Sequence, residues 1–131
     1  MIVVDASAMV EALVNPATSP VLLHLLGSEP LAAPHLLDNE VLSALRRLDT
    51  AHQVSDQRAD TALTTHFAMT IARYETAALA PRVWELRHRC TAYDATYLAL
   101  AEALDAPLVT ADAKLTASGS TAELRLVAAG S

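Results

Sequence analysis

A layered α/β domain built on a parallel sheet is the fold class this sequence predicts. Short apolar runs of strand length alternate with longer stretches of helical apolar spacing along the whole chain. The opening run, Met1-Ile-Val-Val, is apolar throughout, as a strand buried on both faces is. The chain has 131 residues, 53% of them hydrophobic, enough for one core without staples. No repeat, linker or low-complexity segment interrupts it, so residues 1–131 are expected to form a single domain.

Each element has its own signal. After the first strand, Ser7 offers an N-cap, and Met9, Val10, Leu13 and Val14 follow at helical spacing until Asn15-Pro16 stops them. Ser19-Pro20 reads as N-cap and N1 of a second helix, with Val21, Leu22, Leu25 and Leu26 on one side and Gly27 and Pro30 ending it. Leu31-Ala-Ala33 is a second strand. A third helix starts after Pro34 and runs to about Asp49 on the stripe Leu37, Val41, Leu45 and Leu48. Ser55 or Asp56 caps a fourth helix to about Phe67, and Thr70–Tyr74 is a third strand. A fifth helix spans roughly Ala78 to Arg89, and a sixth runs from Thr91 or Ala92 to Leu104 with Tyr97, Leu98 and Ala101 at core spacing. Pro107–Thr110 is a short strand, a small helix follows Asp112 and ends before Gly119, and Arg125–Val127 is a last edge strand.

Composition excludes several function classes. The single cysteine, Cys90, rules out an internal disulfide and a zinc–thiolate cluster, and its apolar helical setting reads as core. No stretch approaches the ~18 apolar residues of a membrane span, and Asp5 breaks the first apolar run before a signal pattern develops. A cytoplasmic protein with no membrane partner is expected. The net charge of −6 disfavours non-specific nucleic-acid binding, so any nucleic-acid contact needs local positive charge.

Asp5, Glu40, Asp94 and Asp112 carry the chemistry. Each sits where a strand pattern meets a helix pattern, or just inside a helix start. Ligands of parallel sheets bind at the carboxyl ends of strands, where Asp5 and Asp112 fall. No two of these acids are local neighbours, so only the fold can unite them. Taken singly, each has an ordinary alternative. Asp5 and Asp112 suit helix caps, Asp94 suits a helix N-terminus, and Glu40 suits a solvated helix face near Arg46 and Arg47. Taken together, they repel unless a cation sits between them. A hard divalent ion held by carboxylates, with water positions left open, points to phosphoryl chemistry. Asp38 is assigned to the helix dipole instead.

The segments Ile2-Val-Val-Asp5-Ala-Ser7-Ala, Pro34-His-Leu-Leu-Asp-Asn-Glu40-Val, Leu86-Arg-His-Arg-Cys-Thr91-Ala-Tyr-Asp94-Ala and Leu108-Val-Thr110-Ala-Asp112-Ala-Lys-Leu115 together resemble a PIN-domain ribonuclease, most closely the VapC-type toxins. The resemblance spans essentially the whole chain. It implies a three-layer α/β/α sandwich with a short, mostly parallel sheet. It also implies a Mg²⁺- or Mn²⁺-dependent endoribonuclease whose metal site is Asp5, Glu40, Asp94 and Asp112. A homodimer is implied too, inhibited by a small cognate antitoxin laid over the groove and the hairpin of the third and fourth helices. One departure is Arg89, where similar chains often have Asn.

Within that scheme, Asp5, Asp94 and one further acid are expected to hold the first ion, with Glu40 or Asp112 orienting the attacking water or helping to hold a second ion. Arg87 is expected to contact a substrate phosphate. Thr110 is expected to offer its hydroxyl to a carboxylate, a bound water or the substrate. Arg82, Glu85 and Arg89 suit surface ion pairs. Trp84 suits core or dimer packing better than base stacking, and the five histidines lack ligand spacing. Two other enzyme classes fit less well. An aspartyl-nucleophile phosphatase usually has a second Asp two residues after the first, where this chain has Ser7. A dinucleotide site needs a Gly-rich turn, and only three glycines are present. A catalytically inactive PIN-like binding module is the non-enzymatic alternative.

Overall fold

The computed structural model describes residues 1–127. Five strands form the sheet: β1 (Ile2–Val4), β2 (Leu31–Pro34), β3 (Ile71–Tyr74), β4 (Leu108–Thr110) and β5 (Leu124–Leu126). Their order is β3-β2-β1-β4-β5, and every neighbouring pair is parallel. The expected "mostly parallel" sheet is therefore parallel throughout. Chain direction across the sheet reverses at β1: β2 and β3 are added on one side, β4 and β5 on the other. Such a switch point leaves a crevice beyond the strand ends.

Six α-helices cover it: α1 (Ala6–Val14), α2 (Pro20–Ser28), α3 (Leu36–Thr50), α4 (Asp56–Ala68), α5 (Ala80–Glu85) and α6 (Ala92–Leu104). Helices α1, α3 and α4 pack on one another, and α5 packs on α6. β1, β2 and β4 are buried along their whole length, which requires cover on both faces of the sheet. Ser19 and Ser55 cap α2 and α4 as their positions predict.

Three local departures have physical causes. Asp5, not Ser7, caps α1, because its carboxylate accepts the Ala8 N–H and starts the helix two residues earlier. The long fifth helix is instead a 3₁₀ turn (Ala77–Leu79), the short α5 and a run of turns, since Pro81 is tolerated only in a first helical turn. The small helix after Asp112 is a 3₁₀ turn, Ala113–Ala117.

Asp38 does more than favour a dipole. Its carboxylate accepts Arg73 Nε (2.8 Å) and Nη2 (2.9 Å) from β3 and meets His66 Nε2 (2.8 Å) from α4. This pins the α3–α4 pair to the sheet edge, and it gives one of the histidines a structural place. Partial burial would raise the Asp38 pKa, but Arg73 and His66 hold it below the usual carboxylate range. Arg82 bridges Glu85 and Glu102, joining α5 to α6. Arg89 packs over Gly119 instead of pairing within the helix. Cys90 is half-buried against the core, and burial pushes its thiol pKa up, which suits packing and not nucleophilic attack.

Candidate active site

The four acids arrive from four separate elements. Asp5 follows β1 and caps α1. Glu40 lies just inside α3. Asp94 lies in the first turn of α6. Asp112 follows β4 and caps the 3₁₀ turn. All four line one open pocket of about 930 Å³ beyond the carboxyl edge of the sheet, at the switch point between β1 and β4. The folding logic is local. Cap positions want short acceptors, and helix starts favour negative charge. Asp5 and Asp112 meet both conditions, and Asp94 meets the second.

Asp5 is the most constrained. It is 6% exposed, and both its oxygens are engaged. Oδ1 accepts from the Ser7 hydroxyl (2.6 Å) and the Ala8 amide (3.0 Å), and Oδ2 accepts from the Thr110 hydroxyl. A carboxylate offers about four lone-pair directions, so three donors leave one for the pocket. The two hydroxyls are held in turn. Ser7 Oγ accepts the Ala111 N–H (2.9 Å), and Thr110 Oγ1 accepts the Asp112 N–H (3.0 Å). These bonds fasten α1, β4 and the segment after it to one carboxylate. Burial raises the Asp5 pKa, against the pull of the Ser7, Thr110 and Ala8 bonds; the charge of Asp94 raises it further.

Glu40 and Asp94 are also pushed up, first by desolvation and then by the neighbouring acids. Arg47 partly relieves Glu40, and Thr91 and Lys114 partly relieve Asp94. Tyr97, one helical turn beyond Asp94, is 2% exposed and faces Glu40. Its phenol pKa is driven far up by burial and by the Glu40 charge, so it stays protonated. Tyr97 lies close enough to ease the Glu40 charge, yet no hydrogen bond of ordinary geometry forms. Glu40 Oε1 and the Tyr97 hydroxyl are both buried without a partner.

An orphaned carboxylate oxygen, three acids with raised pKa values and oxygen-only donors together fit a hard cation. The fit is in donor chemistry and not yet in ligand distance. Among the described residues, no group of three or more acidic, histidine or cysteine side chains stands ready to hold an ion.

The substrate-contact expectations fare differently. Thr110 is fully buried and spent on Asp5, so it positions a carboxylate and cannot reach a substrate. Arg87 lies in the turns after α5, over the Trp84 ring at 4.6 Å, with Nη1 donating to the Trp84 carbonyl (2.8 Å). Neither Arg87 nor Trp84 lines the pocket. Arg47 does, two helical turns beyond Glu40, on the same face. That spacing was visible in the sequence, as was Tyr93 beside Asp94, but the exposure of its ring was not. The part played by Ser7 was hidden behind its reading as a cap.

A parallel sheet with this strand order, carrying a pocket of convergent carboxylates at its switch point, defines an α/β domain with an acidic site at the carboxyl ends of its strands. Residues 2–118 match the PIN domain family, and the chain belongs to that family. Ribonuclease VapC1 of Mycobacterium tuberculosis is 44% identical over 128 residues, covering 95% of this chain and 96% of that protein. Ribonuclease VapC9 of the same organism is 44% identical over 119 residues, 91% of each. Solved structures of the same fold include M. tuberculosis VapC20, described as a sarcin–ricin loop cleaving toxin (TM-score 0.66, 19% identity, 92% of this chain and 97% of that one). Another is VapBC2 of Rickettsia felis bound to a promoter DNA fragment (TM-score 0.70, 18% identity, 97% and 99%).

Proposed function

We propose that this protein is a VapC-type endoribonuclease toxin that hydrolyses an RNA phosphodiester in the acidic pocket with the help of Mg²⁺ or Mn²⁺. The convergence of Asp5, Glu40, Asp94 and Asp112 from four distant stretches on one pocket carries the reading. The VapC ribonucleases at 44% identity support it independently.

A divalent cation held by these carboxylates supplies Lewis acidity toward the scissile phosphate and the positive charge that lets the acids coexist. The chain supplies the rest. Asp5, immobilised by three donors, fixes one ligand direction. Asp94 and Asp112 line the same pocket. Glu40, lining the pocket with a raised pKa, is placed to orient the attacking water and take its proton. Tyr97 remains neutral beside it and adds no negative charge. In-line attack by water leaves a 5′-phosphate and a 3′-hydroxyl. A phosphatase using Asp5 as nucleophile is disfavoured, since three hydrogen bonds occupy its oxygens and Ser7 stands where the acid/base would.

The partner reading follows the same relatives. Between α3 and α4 runs a second groove, lined by Leu42, Leu45 and Leu63 and by three acids, Asp49, Asp56 and Asp60, against one cation, Arg46. An apolar and mostly acidic lining suits a basic amphipathic segment of a small antitoxin. Homodimerisation and a cytoplasmic location belong to the same reading; among the described residues, no helix is long and apolar enough to cross a membrane.

The test is cleavage of total RNA with end mapping. Cleavage should need a divalent cation, stop with EDTA, return on adding Mg²⁺ or Mn²⁺, and vanish in Asp94→Asn while the fold persists. Undiminished cutting by that variant, or in EDTA, would sink the reading.

A further inference from the structure

We infer that the two ends of the acidic pocket grip the nucleotides on either side of the cut, with Tyr93 stacking an unpaired base and Arg47 holding a neighbouring phosphate. This inference rests on the nuclease reading above and adds to it a choice of unpaired RNA and two contact residues.

Tyr93 and Tyr97 lie one turn apart on α6 but face different surroundings. Tyr97 is 2% exposed, whereas Tyr93 is 62% exposed on the pocket wall beside Asp94. Burial does not explain an aromatic ring left in water there. Among the described residues, the ring contacts are His66 with Phe67 and Arg87 with Trp84, so Tyr93 has neither a ring nor a cation against it. An open aromatic face beside a phosphoryl-transfer site is what a splayed-out base stacks on. A base held in a duplex cannot present that face.

Arg47 lines the same pocket from α3. It is exposed and takes part in no ion pair among the described residues. No other lysine or arginine is on that wall among the described residues. Seven residues of helix separate it from Glu40, about 10 Å along the axis. A guanidinium at that offset serves the phosphate next to the scissile one. The charge also answers the net −6 of the chain, since a backbone entering an acidic pocket needs one fixed cation to meet it.

The experiment compares the parent with Tyr93→Ala, Tyr93→Trp, Arg47→Ala and Arg47→Lys in steady-state cleavage with Mg²⁺. Substrates are a short single-stranded RNA cut by the parent and the same RNA annealed to its complement. A 2-aminopurine beside the cut reports stacking. Tyr93→Ala should raise KM by about 5- to 100-fold, with a smaller change in kcat, and lose the fluorescence quench. Tyr93→Trp should keep both. Arg47→Ala should weaken binding and lower the salt dependence by about one phosphate contact, roughly 0.7 in the log–log slope, and Arg47→Lys should restore it. The annealed substrate should resist the parent. Parental KM and quench in Tyr93→Ala, or an unchanged salt slope in Arg47→Ala, would overturn the inference and leave the nuclease reading standing. A change of oligomeric state in Tyr93→Ala without a change of KM would reassign the ring to an interface. A parent that cuts no RNA would overturn both.

Discussion

Replacing Thr110 by Val tests how far one hydroxyl holds the site together. The side chain is completely buried, and Val keeps its shape. The Thr110 hydroxyl donates to Asp5 Oδ2 and accepts the Asp112 N–H. Removing it deletes a hydrogen bond to a buried carboxylate, worth about 1.5–3 kcal/mol. The Asp112 N–H is only partly buried and can turn to water, so it adds little. A net loss of about 2–3 kcal/mol is expected. At ~2.1 cal/mol/K per residue, 131 residues unfold with roughly 0.28 kcal/mol/K, so Tm should fall by about 7–11 °C. The second signature is electrostatic. The Thr110 bond opposes the rise in the Asp5 pKa, so its loss moves that pKa further up, and the alkaline shift should appear in the pH profile of cleavage. Circular-dichroism melts in EDTA and initial rates across pH measure the two effects. Thr110→Ser, which keeps the donor, should stay near the parent on both. A Thr110→Val protein melting within about 2 °C of the parent, with an unmoved pH profile, would refute the argument.

Other outcomes follow from the same structure. In EDTA, stability should decline as pH climbs from the carboxylate range toward neutrality. Asp5, Glu40 and Asp94 have raised folded pKa values, so their contribution is full below the unfolded values near 4 and lost as pH passes the folded ones. Urea melts should show that decline, and saturating Mg²⁺ should flatten it. Asp38 and Glu102 act in the opposite sense, stabilising above the unfolded pKa and losing that as pH drops through their lowered folded values. Asp94→Asn should cut RNA about a hundredfold more slowly or not at all, yet melt higher than the parent in EDTA at pH 8, because one repelling charge is gone. Arg73→Met strands the half-buried Asp38 carboxylate and should cost about 1–3 kcal/mol in denaturant titrations, discounted for partial exposure. Gly119→Ala meets a backbone at φ +79° and places its Cβ 2.8 Å from Arg89 Cδ, so a loss of about 1–2 kcal/mol should appear in the same titrations.

Much of this molecule was legible in its residues because strands and caps are local events. Ile2-Val3-Val4, the Ser19-Pro20 start and the Leu37–Val41–Leu45 stripe each declare their element through short-range physics. The convergence of Asp5, Glu40, Asp94 and Asp112 was inferable from their places at strand ends and helix starts. What escaped was long-range. Nothing local to Asp38 announces Arg73, 35 residues on, or His66, 28 residues on. Ser7 looks like a cap until Asp5 takes that place and turns Ser7 into a donor. Arg87 adjoins Asp94 in the chain, but the turns after α5 carry it onto Trp84, while Arg47 reaches the pocket because a helix returns to the same face after seven residues.

The carboxylate held by Ser7 and Thr110 also ties the site to segments far apart in the chain. Its oxygens are aligned by a hydroxyl from the first helix and another from the fourth strand, over a hundred residues later in the chain. A growing polypeptide that has not yet delivered Thr110 and Asp112 has neither the alignment nor the last acid. A chain cut ahead of Thr110 therefore lacks both the anchor of the Asp5 carboxylate and the fourth acid of the pocket.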